Sequence, residues 1–334
     1  MPKDAIFSER DAVAASDTVA SMLKTSLRYL MSVARHGSIR AASSELNIAQ
    51  SAVSRRLQAL EYQLGTPLFE RKPRGVALTE AGELLYSYCL NSTFAIERLY
   101  SEIDELRGLR RGRVRLASME SVVTSVLCNA IDAFRIKHPN IVFSVDILTS
   151  DKVLEAVREG DVDIGLTFGG EFSDEIKVVY NAKEPLLAAM TPTHPLATRK
   201  SISIEELVSC PIALAPPKSS SRVVFDKGCA KAGIVVKPAL ETNSVELMHR
   251  FALGGTGITL MLRHAGMSSF RNNELCAIPV TGTDFEGDVS IITLKDRQLP
   301  LAAEAFLLTI REELVRLPFP AMPIDAPKAS ATSK

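Results

Sequence analysis

The sequence predicts a multidomain chain: a small helix-rich module, one long connecting helix, and a two-lobed α/β domain. Three observations carry this. The chain has 334 residues, too many for one small domain. Apolar residues recur at helical spacing, first in short segments and then along an uninterrupted stretch from Thr79 to about Arg107. Beyond Gly108-Leu109-Arg110-Arg111-Gly112, strand-like runs alternate with helical ones.

The helix-rich module spans residues 25–82. Leu27–Arg35 reads as a helix ended by His36-Gly37. Ser38 is placed to cap a helix over Ile39–Leu46, with Ala41, Ala42 and Leu46 inward and Arg40, Ser43 and Glu45 wet. Asn47-Ile48 supplies a turn, because an asparagine side chain bonds nearby backbone. The next helix, Gln50–Leu60, carries Val53, Leu57 and Leu60 as one apolar stripe. Its opposite face offers Gln50, Ser51, Ser54, Arg55 and Gln58, a donor-rich surface narrow enough to enter a DNA major groove. Arg56 lies one step, about 100°, away from Arg55. Two extended arms follow around the basic turn Lys72-Pro73-Arg74-Gly75. Arg71, Lys72 and Arg74 on this wing reach toward phosphates or a minor groove.

The connecting helix, residues 83–108 after a capped start at Thr79, repeats apolar residues at Leu85, Cys89, Ile96, Leu99, Ile103 and Leu106, with Ser92 in the same series. Spacings of four and three are those of a coiled-coil seam. The expected partner is the same helix of a second subunit, since two recognition helices read two half-sites.

The α/β domain spans residues 109–317. Val114–Ala117, Ile141–Leu148 and Asp161–Leu166 read as strands, with helices over Ser121–Lys137 and Asp151–Glu159. Further strands are expected near Lys177–Tyr180 and Leu186–Thr191. This order implies a mostly parallel sheet covered by helices. Lobe I takes residues 113–191 and 289–317, and lobe II residues 192–288. In lobe II, Ser203-Ile204-Glu205-Glu206 has capping-box form. Strands follow at Pro211–Ala215, Ile234–Leu240 and Gly257–Met261, with helices at Ser220–Ala232 and Val245–Leu253. Val289–Leu294 and Pro300–Arg316 close the chain as strand and helix. Strands passing between two lobes make a cleft, where open α/β sheets bind ligands.

Composition narrows the function. Formal net charge is zero, yet Lys24 to Glu80 holds nine Lys or Arg against four Asp or Glu. A basic segment in a neutral chain is an electrostatic footprint for phosphate. The cysteines, Cys89, Cys128, Cys210, Cys229 and Cys276, are scattered and odd in number, which favours reduced thiols in a cytoplasmic protein. Residues 1–24 lack an apolar secretion core and are expected as a disordered lead, and residues 318–334 as a flexible tail. No apolar run is long enough to span a membrane. Enzyme chemistry finds no constellation. His36, His138, His194, His249 and His264 show no metal spacing, and no serine lies in a GxSxG elbow. Gly254-Gly255-Thr256-Gly257 follows a helix and precedes a strand, the reverse of a phosphate loop. No metal site or resident cofactor is expected.

The motifs Gly37-Ser38, Ala41-Ala42, Gln50-Ser51-Ala52-Val53-Ser54-Arg55, Leu60-Glu61, Leu64-Gly65, Leu68-Phe69-Glu70-Arg71 and Leu78-Thr79-Glu80-Ala81-Gly82 resemble LysR-type transcriptional regulators at fixed spacing. A weaker likeness runs to about residue 316, through element order and Gly160-Asp161-Val162-Asp163-Ile164-Gly165. The resemblance implies a winged helix-turn-helix, a dimerising linker helix, and an effector domain like type 2 periplasmic binding proteins. It also implies a dimer of dimers on double-stranded promoter DNA, a small-molecule co-inducer and contact with RNA polymerase. Ser38, Arg40, Gln50, Ser51, Ser54, Arg55, Arg56, Gln58, Arg71, Lys72 and Arg74 are the DNA-contact candidates. Ser51 stands where many members have proline. Effector candidates are Ser118, Glu120, Ser121, Thr149, Ser150, Thr167, Phe168, Ser220, Ser221, Arg222, Asn243 and Ser244. Free N–H groups and hydroxyls at Ser118–Ser121 suit an anion. Glu120 has two readings: facing the cleft it repels a carboxylate and favours an amine or hydroxyl, and facing out it supports a helix start.

Overall fold

A computed structural model describes residues 25–73, 75–105, 112–282 and 285–316. The chain divides into two compact units, one to Glu97 and one from Arg98.

In the first unit, α1 (25–36) buries Leu30 and Val33. Ser38 caps α2 (Ile39–Glu45) by accepting from the Ala41 N–H at 3.3 Å. Asn47 takes a left-handed φ of 55° in the turn, a conformation asparagine tolerates. α3 (Gln50–Leu64) runs four residues past the expected Leu60 and stops at Gly65, whose left-handed backbone caps it. Val53, Leu57 and Leu60 join Leu30, Val33, Ala42 and Leu68 in one core. Ser43, expected wet, is buried, because its hydroxyl turns back onto the Arg40 carbonyl at 2.8 Å.

The wing is an antiparallel hairpin, β1 (Phe69–Lys72) against β2 (Gly75–Leu78), with Phe69 opposite Leu78. Glu61 fixes its root: its carboxylate accepts from the N–H groups of Leu68 at 2.8 Å and Phe69 at 3.2 Å. Gly75 is required at the wing's return. Its φ is 121°, and a Cβ would stand 2.2 Å from the Gly37 carbonyl oxygen. Thr79 caps α4 (Glu80–Glu105) by accepting from the Gly82 N–H, and donates to the Pro67 carbonyl.

The first turns of α4 belong to the wing's core. Leu85 packs on that core and Cys89 is 4% exposed, so neither lies on an outward seam as expected. Among the described side chains of α4, the exposed large apolar ones are Leu84, Tyr88, Ile96, Leu99 and Ile103. Leu106 and Arg74 fall outside the described residues.

Among the described residues, the second unit is built on a nine-stranded sheet. In lobe I, β3 (Gly112–Ser118) pairs in parallel with β4 (Ile141–Ile147) and β5 (Ile164–Phe168). A single strand, β6 (Ile176–Met190), replaces the two separate strands expected near 177–180 and 186–191. Pro185 lies inside this strand. It falls where the strand changes neighbours. Its N-terminal part pairs with β13 (Glu286–Leu294), and Leu186 to Ala189 pair with β10 (Ile258–Leu262).

Lobe II adds β8 (Ile212–Leu214) and β9 (Leu240–Glu241) beside β10. The strand expected over Ile234–Leu240 shrinks to β9, since Pro238 lies in it and Val235 is 99% exposed. The short strands β7 (Ile202–Ser203) and β12 (Val280–Thr281) form a separate pair, and β11 (Cys276–Ile278) adds to β6.

The helix expected from Ser121 begins as a 3-10 turn, Glu120–Val122, and a π turn, Val123–Leu127. It becomes α5 only over Cys128–Lys137. The other helices are α6 (Ser150–Arg158), α7 (Ile204–Val208), α8 (Ser220–Lys231), α9 (Val245–Leu253), α10 (Arg263–Arg271) and α11 (Leu301–Arg316). Ser203 and Glu206 form the expected capping box on α7. No strong local signal marks α10, where Gly266 lies under the Phe270 ring.

Two buried polar clusters fix this frame. Asp163, 1% exposed, accepts from the Arg115 N–H at 2.8 Å and pairs with Arg297. The Asp163 motif position is therefore a structural pin. Glu184, on β6, accepts from the His264 backbone N–H at 3.2 Å and from its ring, which ties α10 to β6.

Candidate functional site

Along the outer side of α3, Gln50, Ser51, Arg55 and Gln58 are exposed, while Ser54 and Arg56 are half-buried. The Arg55 Nε donates to the Ser51 carbonyl one turn back at 3.4 Å, a weak contact that leaves the rest of the guanidinium available. Arg40 and Arg71 are exposed. The Ser38 hydroxyl is taken up by its cap. Lys72 pairs with Glu70 at 2.6 Å in the open, an exchangeable contact for a phosphate to replace.

The second unit holds a cavity of about 420 Å³ at the carboxyl ends of β3, β4 and β5, facing the starts of α6, α8 and α9. Met119, Phe168, Leu186, Leu260, Met261 and Leu262 give it apolar walls. Glu120, Ser121, Thr149, Ser150, Ser220, Ser221 and Asn243 line it with Phe168, so eight of the candidates converge.

Four candidates do not line it. Ser118 is fully buried and donates to the Met119 carbonyl. Thr167 alternates with Phe168 along β5 and faces the other side of the sheet, 1% exposed. Arg222 folds back onto the Ala215 carbonyl, Asp226 and Glu241. Ser244 caps α9 by accepting from Leu247 N–H. Lys218, on the loop before α8, is the cation at the cavity, and Asp151 lines it as well. Their signal was position alone: loops at the carboxyl ends of strands.

Electrostatics divide the cavity. The Thr149 hydroxyl holds the Asp151 carboxyl below its ordinary range, aided by backbone N–H groups of α6. Glu120 also brings a carboxylate, whose Oε2 accepts from the Val245 N–H at 3.0 Å. Glu120 thus lies at the cavity and supports a helix start, but the helix is α9 and not its own. The first turn of α8 carries no acidic residue, and Ser219 makes no side-chain cap bond there. A wider groove of about 1070 Å³ along Lys177, Lys295 and Glu304 contains none of the effector candidates.

Residues 107–315 match the LysR substrate binding domain, and residues 25–83 match the bacterial regulatory helix-turn-helix protein, lysR family. The chain belongs to the LysR family. Among curated LysR relatives, the HTH-type transcriptional activator CmpR of Synechocystis sp. is 28% identical over 82% of this chain and 90% of its own length. The RuBisCO operon transcriptional regulator of Acidithiobacillus ferrooxidans is 28% identical over 78% and 84%. A full-length OxyR from Pseudomonas aeruginosa, carrying one cysteine-to-aspartate substitution, superposes with a TM-score of 0.61 at 19% identity, covering 86% and 94%, a likeness of fold. Full-length BenM superposes with a TM-score of 0.52 at 26% identity, covering 90% and 99%.

As a LysR-type regulator, the chain is a DNA-binding transcriptional regulator whose C-terminal domain binds a small-molecule effector. Members of the family bind promoter DNA and form oligomers; they are regulators and not enzymes. Among the described residues, no helix is long and apolar enough to cross a membrane.

Proposed function

We propose that this regulator reads promoter DNA with Gln50, Ser51, Ser54, Arg55 and Gln58, Ser51 and Arg55 lying nearest the base edges. Arg40, Arg56, Arg71, Lys72, Arg74 and the Ser38 turn hold the phosphates. The observation that carries this reading is the exposed polar face of α3 beside exposed wing cations, on a scaffold braced by Ser38, Glu61 and Gly75. Phosphate contacts supply affinity, and the α3 face supplies discrimination.

The outward face of α4, with Leu84, Tyr88, Ile96, Leu99 and Ile103, meets the same face of a second subunit. Such dimers pair into a tetramer. The regulator works in the cytoplasm, and the bound assembly contacts RNA polymerase. The effector occupies the 420 Å³ cavity. Its apolar body lies against Met119, Phe168 and Leu260, and its anionic group lies at the start of α8 beside Lys218. That helix start lacks an acid, so its N–H groups and dipole are left for a ligand.

Selection of genomic fragments by the full-length protein tests the DNA reading. Enrichment of fragments sharing a two-fold-symmetric motif is expected. Retention of fragments without any shared motif contradicts it.

A further inference from the structure

We propose that Glu120 is an interlobe clasp: a carboxylate carried by lobe I that occupies the N-terminus of α9 in lobe II. In doing so it sets the spacing of the effector cavity. The proposal deepens the effector-cavity reading and rests on it.

The backbone of Glu120 is anchored in lobe I. It stands two residues after β3, and the intervening Met119 N–H donates to the Leu166 carbonyl on β5 at 3.1 Å. Its carboxylate leaves that frame and accepts from the Val245 N–H at 3.0 Å. Val245 opens α9, nine residues that pack on β10, β8 and β6. Ser244 adds a local cap at this helix start, its Oγ accepting from the Leu247 N–H. A helix start left with unpaired N–H groups favours an anion, and here lobe I supplies it.

The contact lies in the wall of the cavity, since Glu120 and Val245 both line it. A ligand shifts a two-state protein only through contacts that differ between the states. Glu120 supplies such a contact. A ligand group that donates to its carboxylate, or an anion that takes its place on α9, changes the tie between the lobes directly. While it is closed, the clasp keeps a second anion off α9, so an anionic group that does not displace Glu120 is directed to α8.

The test is hydrogen–deuterium exchange at the start of α9 in the full-length protein. Wild type, Glu120→Ala and Glu120→Gln are compared, with acetate or an equal concentration of chloride added. In Glu120→Ala the amides at the start of α9 exchange about tenfold faster, as expected for losing a hydrogen bond to a charged group. Glu120→Gln, which keeps a neutral acceptor, gives a smaller rise. Acetate restores protection in Glu120→Ala and chloride does not, while wild type responds to neither. Unchanged protection in Glu120→Ala overturns the clasp. So does equal rescue by chloride, because the helix start is then not reading a carboxylate. Should the alanine variant fail to fold, Glu120→Gln decides by the same measurement. These readouts need no effector, so their failure leaves the effector reading of the cavity standing.

Discussion

At the scale of single residues, the cysteines show how burial sets reactivity. Burial pushes the Cys229 thiol up to about 11, with Asp226 adding to the shift and Arg222 opposing it. Burial also raises Cys89 and Cys276, whereas Cys128 is exposed at the start of α5. The thiolate is the reactive form. Alkylation of the native protein at pH 8 is therefore expected to modify Cys128 and spare Cys229, as read by mass spectrometry. The sign for stability follows from the raised value. Cys229 favours the folded state fully below its ordinary 9.0, and that contribution is lost as pH rises toward 11. Fast labelling of Cys229 at pH 8 contradicts its burial. Residue identity was legible where it met local backbone: Ser38 as a cap, Asn47 in its turn, Ser203 with Glu206. Arg222, an effector candidate, turns away from the cavity, and Lys218, which was not a candidate, lines it. The difference lies in partners such as Glu241, nineteen residues from Arg222, whose approach the local sequence does not encode.

At the scale of elements, α4 carries two jobs on one helix. Its first turns close the winged module, which draws Leu85 inward, and Cys89 one turn on is also buried. Farther along, Ile96, Leu99 and Ile103 are 40 to 55% exposed. Spacing alone could not separate these jobs, since both faces are apolar. Leu99→Glu is expected to shift the assembly to monomers in sedimentation experiments and leave the helix content unchanged by circular dichroism. An unaltered sedimentation profile removes this face from the interface. A similar ambiguity affected β6, which was expected as two strands and is one, with Pro185 at the change of neighbours from β13 to β10. The 3-10 and π turns after β3 hid inside an apolar run that reads equally well as regular helix. Fold class remained legible because it depends on period and on the alternation of strands with helices, although the sheet mixes parallel with antiparallel pairs where a mostly parallel one was expected.

At the scale of the whole molecule, zero net charge conceals a basic reading module, and function depends on that unevenness. Counterion release makes binding to any DNA salt-dependent, so affinity alone does not identify a reader. Discrimination between sequences does. The most direct measurement compares wild type and Arg55→Ala on a selected promoter fragment and on a scrambled duplex at one fixed salt concentration. Loss of a base-edge contact costs about 1–3 kcal/mol of discrimination. Affinity for the promoter fragment is expected to fall by about tenfold or more, while affinity for the scrambled duplex changes little. An unchanged promoter affinity, or an equal loss on both duplexes, contradicts the claim that the α3 face reads the sequence.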